Sequence, residues 1–199
     1  MNPLHRRWLA WRHADGPWAT LFGAAPANEL VSLDLETTGL DPTSDRILRL
    51  AAVPVRGSCV MLSERFERWV DPGRTFDIQS MRHHRILPGD VVQADDEVTV
   101  VREFLHWLGP RPVLGYCVDF DIAMLNRSVR CITGFPLPNH RIDVAAMDLA
   151  QQQRAHHGAA QRRNLDAILA ATGVPALGRH DALADATTAA LAWCALRTR

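Results

Sequence analysis

The sequence has no lysine; all 22 of its basic side chains are arginines. Arginine's planar fork grips phosphate in a bidentate way, while a lysine-free chain is also the product of a compositional bias in the coding DNA. Nor is there a net charge, since 22 acidic side chains balance the basic ones. This excludes the bulk basicity that alone announces a nucleic-acid binder, so any such binding has to be local. The four cysteines, Cys59, Cys117, Cys131 and Cys194, show no CxxC spacing. That argues against a zinc site and a disulfide framework and leaves them as small buried side chains in a reducing compartment. There is no run of about eighteen apolar residues. The opening MNPLHRRWLAWRHADGPW lacks the apolar core of a signal peptide, so the expected setting is the cytoplasm, with no membrane partner. Internal repeats and low-complexity segments are absent as well.

What is present is the make-up of an ordinary globular protein, 47% apolar and 22% charged over 199 residues. That length fits one domain with a real core, alone or with an appendage. Residues 1–28 read as an Arg/Trp-rich extension, with Trp8, Leu9 and Trp11 ahead of breaks at Gly16-Pro17 and Pro26. A short amphipathic helix there packs on the domain or meets a partner. Residues 29–199 make the main domain. Strand signals at 30–35 and 46–55 flank Gly39-Leu40-Asp41-Pro42 turn chemistry and predict an antiparallel meander, continued by a strand near 59–70. The irregular basic segment SMRHHRILPGDV comes next. In EVTVVREFLHWLG, the residues Val98, Val101, Phe104, Leu105 and Leu108 then recur with helical period. A short strand, PVLGY, leads into a helix with Ile122, Leu125 and Val129 on one face. Two further helices follow, from Asn164 to Thr172 and from Asp181 to about Arg197. Strands first, then helices alternating with short strands, imply an α/β domain: a mixed sheet covered by helices.

The stretch LDLETTGL places Asp34 and Glu36 two residues apart at the end of an apolar strand. Residues i and i+2 of a strand share a face, so the two acids converge and repel unless a positive charge lies between them. GYCVDFDIAML puts Asp121 at a helix start just after a strand, facing the mouth of the sheet. RHDALADA puts His180 ahead of a helix and Asp185 about one turn inside it. Taken singly, each has a plain structural explanation: Asp119 or Asp121 as a helix cap, His180 as a loop residue, Asp34 and Glu36 as solvated acids at a strand end. Together they supply four carboxylates, whose charge two divalent ions would balance. That is the two-metal arrangement of phosphodiester hydrolysis. Oxygen-only ligands favour magnesium, with manganese as a substitute, and a neighbouring histidine suits proton transfer from water.

The order DLETTG, GYxxxFDxxML, HDALADA resembles the three motifs of the DEDDh family of 3′–5′ exonucleases, whose relatives include the proofreading epsilon subunit of bacterial DNA polymerase III. Here the five key positions are Asp34, Glu36, Asp121, His180 and Asp185. RIDVAAMDLA, with Asp143, and NLDAILAATGV resemble intervening segments, so the likeness covers about residues 29–197. It implies an RNase H-like fold with a mixed five-stranded sheet flanked by helices, and two-metal removal of nucleotides from the 3′ ends of single-stranded or frayed DNA. It also implies Asp34, Glu36, Asp121 and Asp185 as metal ligands and His180 as general base. Thr37, Thr38, Gly39 and Leu40 would hold the terminal nucleotide, with Leu40 wedged against bases. The second motif departs from many relatives in having Tyr116-Cys117 where they have His-Asn; Tyr116 stacks on a base or simply packs. Arg82, His83, His84 and Arg85 form a local basic patch along the substrate path, or a solvated loop. The chain ends with its last helix, so neither a polymerase-holding tail of the replicative epsilon kind nor a clamp-binding peptide is expected. A polymerase or repair partner is open. So are two alternatives: RNA trimming of the RNase T or oligoribonuclease kind, and a non-catalytic docking module.

Overall fold

The computed structural model describes residues 2–76, 85–155, 160–178 and 180–198. The central strand β1 (Glu29–Thr37) is buried along almost its whole length because it has neighbours on both sides. On one side it pairs antiparallel with β2 (Ile47–Arg56), and β2 pairs in turn with β3 (Cys59–Val60) and β4 (Phe66–Asp71). On the other side β6 (Val113–Gly115) runs parallel to β1, and β7 (Arg141–Asp143) parallel to β6. The two-residue β5 (Asp95–Asp96) lies parallel to β4 at the far edge, giving the order β5-β4-β2-β1-β6-β7.

The described sheet therefore has seven strands, not five. The single strand expected near 59–70 is broken by a helical turn at Leu62–Glu64 into β3 and β4, and the two-residue β5 is the other addition. The fold is otherwise the expected RNase H-like mixed sheet between helices.

Alternation along β1 assigns its two faces. Val31, Leu33 and Leu35 pack into one apolar cluster with Phe104, Leu105 and Leu108 of α3 (Glu97–Leu108) and Ile122, Leu125 and Val129 of α4 (Asp119–Thr133). The opposite face receives α5 (Val144–Ala155), α6 (Leu165–Thr172) and α7 (Ala182–Arg197), which share a second cluster with Val53, Val55 and Leu114. Helix α7 can lie close on the sheet because its inward residues are small: Ala182, Ala186, Ala189, Ala190 and Ala192 are buried. Ser32 Oγ donates to the Ala186 carbonyl at 2.7 Å and pins the helix to β1 on the face that also carries Asp34 and Glu36. A four-residue turn of helix, α2 (Pro88–Val91), precedes β5.

The N-terminal helix α1 (Pro3–Arg12) is capped by Asn2, whose side chain accepts from the Leu4 amide at 2.9 Å. It buries Leu9, and the following turn buries Trp18 and Leu21, all in the α3/α4 cluster; Leu4, Trp8 and Trp11 stay exposed.

Two expectations need correction. Val98 is exposed, and Val100 takes the inward position: the Asp96 side chain caps α3 by accepting from the amides of Val98 and Thr99, and this sets a helical phase that buries 97, 100, 101, 104, 105 and 108. Cys59 and Cys131 are exposed rather than buried, and Cys117 and Cys194 are half-buried; Cys59 lies on the marginal β3, which has little to pack against. Among the described residues no helix is long and apolar enough to cross a membrane.

Candidate active site

The register between β1 and β2 shifts after the Glu36–Arg49 pair, where Thr37 pairs with Ile47 and Leu48 is the extra residue. A bulge at this point ends regular pairing and re-aims the chain. Asp34 and Glu36 thus stand at the C-terminal end of the central strand, under the first turn of α7, which carries Asp185. One oxygen each from Asp34, Glu36 and Asp185 lies within 4.8 Å of the others. Glu36 and Asp185 are each only 9% exposed, so the repulsion is poorly screened by water. Burial and the charges of Asp185 and Asp181 push the Glu36 carboxyl up to about 7, partly opposed by Arg49. Its Oε1 is buried without a hydrogen-bond partner among the described residues.

Asp121 enters from the other layer, at the start of α4. It is buried, and its carboxyl is pushed up to about 8, first by that burial and also by the charges of Asp143 and Glu36. Hydrogen bonds from its own amide and that of Leu35 oppose the shift and place it against the end of β1. It is not one of the three acids that converge most closely. His180 is exposed, with a φ of 63°, and its backbone N–H donates to Asp185 Oδ2 at 3.0 Å. The histidine is therefore tied by its main chain to one of the clustered acids.

The turn after β1 is organised by Asp45. Its carboxylate accepts from Thr38 Oγ1 and from the Asp41 amide, both at 2.9 Å. A Cβ on Gly39 would come within 2.5 Å of that carboxylate, so only glycine fits there. Thr37 Oγ1 donates to the Gly39 carbonyl at 2.7 Å, Thr38 is buried, and Leu40 at the tip is 84% exposed. Gly115 is the other constrained glycine: its Cβ would meet the Leu33 carbonyl at 3.0 Å, where β6 passes β1 on its way into α4. Beyond it, Tyr116 OH donates to the Arg163 carbonyl at 3.2 Å and its ring packs against the α5–α7 cluster. Cys117 turns the chain with a φ of 57°. His84, with Arg82 and His83, lies outside the described residues; Arg85 is exposed, also with positive φ.

The sequence reading missed Asp45 and Arg49. A signal for the first exists in DPTSD, since Asp and Ser favour local turn bonds: Asp41 accepts from the Thr43 amide and both hydroxyls of Thr43 and Ser44, and Asp45 closes the turn. Nothing local marks the second.

The donor set consists of carboxylate oxygens that are close together, on buried Glu36 and Asp185 and half-buried Asp34, with Glu36 Oε1 lacking a hydrogen-bond partner among the described residues. Such a set fits a divalent cation and is costly without one. A three-layer α/β/α arrangement with acids gathered at the end of its central strand defines an RNase H-like nuclease fold. A family model described as exonuclease, of the RNase T type, matches residues 31–192, and the chain belongs to that exonuclease family.

The chain is similar to the DNA polymerase III subunit epsilon-like protein of Rhodobacter capsulatus, at 30% identity over 169 residues, covering 83% of this chain and 23% of that protein. It is similar also to the PolC-type DNA polymerase III of Bacillus subtilis, at 33% identity over 96 residues, 48% of this chain and 6% of that one. The chain thus spans only a minor part of the length of these relatives. Among solved structures, Exonuclease I of E. coli in complex with a dA16 oligonucleotide overlays with a TM-score of 0.72 at 19% identity, over 86% of this chain and 41% of that one. Cell-death related nuclease 4 also gives 0.72, at 18% identity, over 87% and 64%. These two likenesses are of fold.

Proposed function

We propose that this chain is a magnesium-dependent 3′–5′ exonuclease that releases nucleoside monophosphates from DNA ends, with manganese able to substitute. The observation that carries the reading is the convergence of one oxygen each from Asp34, Glu36 and Asp185, together with a buried Glu36 Oε1 that has no hydrogen-bond partner among the described residues. Asp34, Glu36, Asp185 and Asp121 are the residues that hold the ions. Bound there, divalent ions supply neutralisation of the phosphodiester charge and a lowered pKa for the attacking water.

The chain's own groups do the rest. His180, exposed and held beside Asp185 by its main chain, accepts a proton from the attacking water at its imidazole. The Thr37–Leu40 turn, held rigid by Asp45, receives the terminal nucleotide through backbone amides, and the exposed Leu40 lies against the bases. The polymerase relatives favour DNA over RNA and are consistent with a polymerase or repair partner in the cytoplasm. We assign residues 29–199 to the catalytic domain and 1–28 to an extension docked on it through Leu9, Trp18 and Leu21.

The test is magnesium-dependent digestion of matched 5′-labelled single-stranded DNA and RNA oligonucleotides, run beside Asp34→Ala. A ladder shrinking from the 3′ end, lost in the variant and faster on DNA, is the expected result. A faster RNA ladder selects RNA trimming, and no ladder with either metal defeats the enzyme reading in favour of a docking module.

A further inference from the structure

Arg49 sits directly across the β1–β2 ladder from Glu36, at the last regular pair before the bulge. Its guanidinium is held on three sides. One nitrogen donates to Glu67 on β4, another donates to Asp181 Oδ2 at 2.5 Å, and the ring of Trp69 lies under its plane with the centroid 4.7 Å away. Glu67 and Trp69 belong to the sheet. Asp181 does not: it is the N-cap of α7, where Oδ1 accepts from the Ala184 amide at 3.0 Å, and it directly follows His180. The His180 backbone is in the left-handed region, which a non-glycine residue occupies only when its surroundings hold it there. Asp181 is therefore the point at which the sheet grips the turn that carries His180, and Arg49 is the grip.

We propose that Arg49 is a positioning residue: through Asp181 it fixes the His180 turn beside the acidic cluster. The arginine spans two carboxylates at once, one on each element, which the flexible single ammonium of lysine cannot do with the same geometry. Its hydrogen bonds and ring contact go to Glu67, Asp181 and Trp69, and its charge also opposes the upward shift of the Glu36 carboxyl; the hold on the turn is what the exchange measurement reads. The kinetic consequence rests on the exonuclease reading above; the structural one does not.

The experiment compares Arg49→Met, Arg49→Lys, Asp181→Asn and the Met/Asn double variant. Asparagine caps a helix as well as aspartate, so Asp181→Asn removes the ion pair while keeping the start of α7. Amide hydrogen exchange of His180, Ala184 and Asp185, read on metal-free protein, should speed up about tenfold or more in Arg49→Met and Asp181→Asn relative to the β1 and β2 amides. In digestion assays both variants should lower kcat about tenfold or more with KM within about twofold of the parent. The double variant should be no worse than either single, as for two residues acting as a unit, and Arg49→Lys should recover part of the loss.

Unchanged exchange in the His180 turn overturns the inference whether or not the protein is a nuclease. A raised KM in Arg49→Met with a harmless Asp181→Asn overturns it too, by making Arg49 a direct phosphate contact. If the parent digests nothing, the exonuclease reading falls, and the exchange data alone decide whether Arg49 holds the turn.

Discussion

Glu29 and Glu36 lie on the same strand, near its two ends, and their carboxyls meet opposite fates. Glu29 is partly buried, which by itself raises its pKa, but hydrogen bonds from Arg56 and Arg111, with their charges, hold it below the ordinary carboxylate range. Glu36 is also buried, faces two more acids, and has one cation nearby whose hydrogen bonds go to Glu67 and Asp181. One end of β1 neutralises its acid and the other leaves its acids to repel. A buried carboxylate with two arginines needs no further partner. One packed against other carboxylates does, and the Asp34, Glu36 and Asp185 oxygens gathered here form a candidate site for a cation.

The contrast is tested hardest by removing the central acid. Asp34→Ala should leave essentially no 3′ digestion, because the loss removes ion binding and charge neutralisation together. His180→Ala should leave a slow enzyme, down by about 10² to 10⁴, the usual worth of a general base. Initial rates on a 5′-labelled oligonucleotide measure both, and equal residual activity in the two variants would refute the division of roles.

A smaller effect lies in the pH dependence of stability. The folded pKa of Glu36 is raised from 4.5 to about 7. Between these values the folded state keeps a proton that the unfolded state has released, so stability falls as pH rises through that window. The shift corresponds to a stabilisation on the order of 3 kcal/mol present at low pH and lost by pH 8. Asp121, raised to about 8, acts in the same direction. Metal-free protein should therefore melt at a lower temperature at pH 7.5 than at pH 5. Manganese should raise the melting temperature, and more so at the higher pH, where the acids are ready to bind it. Glu36→Gln should flatten the pH profile and blunt the manganese response. A parent Tm that climbs from pH 5 to pH 7.5 and ignores manganese would remove the basis for reading this end of the strand as an ion site.

How much of this was legible in the sequence depends on how local each signal is. The alternation of β1, the turn chemistry after it and the two-residue spacing of Asp34 and Glu36 are short-range features, and β1, β2 and the shared face follow from them. Asp185 and Asp121 were placeable because each lies within a turn of a helix start. The phase of α3 was not, because Val98, Val100 and Val101 are all apolar and the Asp96 cap decides which of them turn inward. Arg49 was invisible for a different reason. Its partner Asp181 is 132 residues away, and an arginine in ILRLAAV looks like a solvated strand residue until β4 and α7 close around it. The strand expected near 59–70 is broken at Leu62–Glu64 into β3 and β4, and β5 escaped because a two-residue pairing is a product of packing and carries no propensity signal of its own.

The smallest effect belongs to the paired end. Glu29→Gln removes a charge from between Arg56 and Arg111, yet neither arginine is stranded. Arg56 keeps Glu64, and Arg111 keeps the carbonyls of Leu108 and Trp107. The cost should be about 1 kcal/mol, that of an ordinary hydrogen-bonding arrangement replaced by a weaker neutral one. Because the Glu29 pKa is lowered in the fold, its contribution is present above the ordinary value of 4.5 and lost as pH falls below it, opposite in sign to Glu36. The Tm difference between parent and Glu29→Gln should accordingly be clear at pH 7 and shrink towards pH 3, with kcat and KM unchanged at both metals' optimal concentrations. A Glu29→Gln variant that melts higher than the parent, or that loses digestion as Asp34→Ala does, would mean that the two ends of β1 are not electrostatically distinct. The pairing by arginine at one end and its absence at the other would then carry no information about where the chemistry lies.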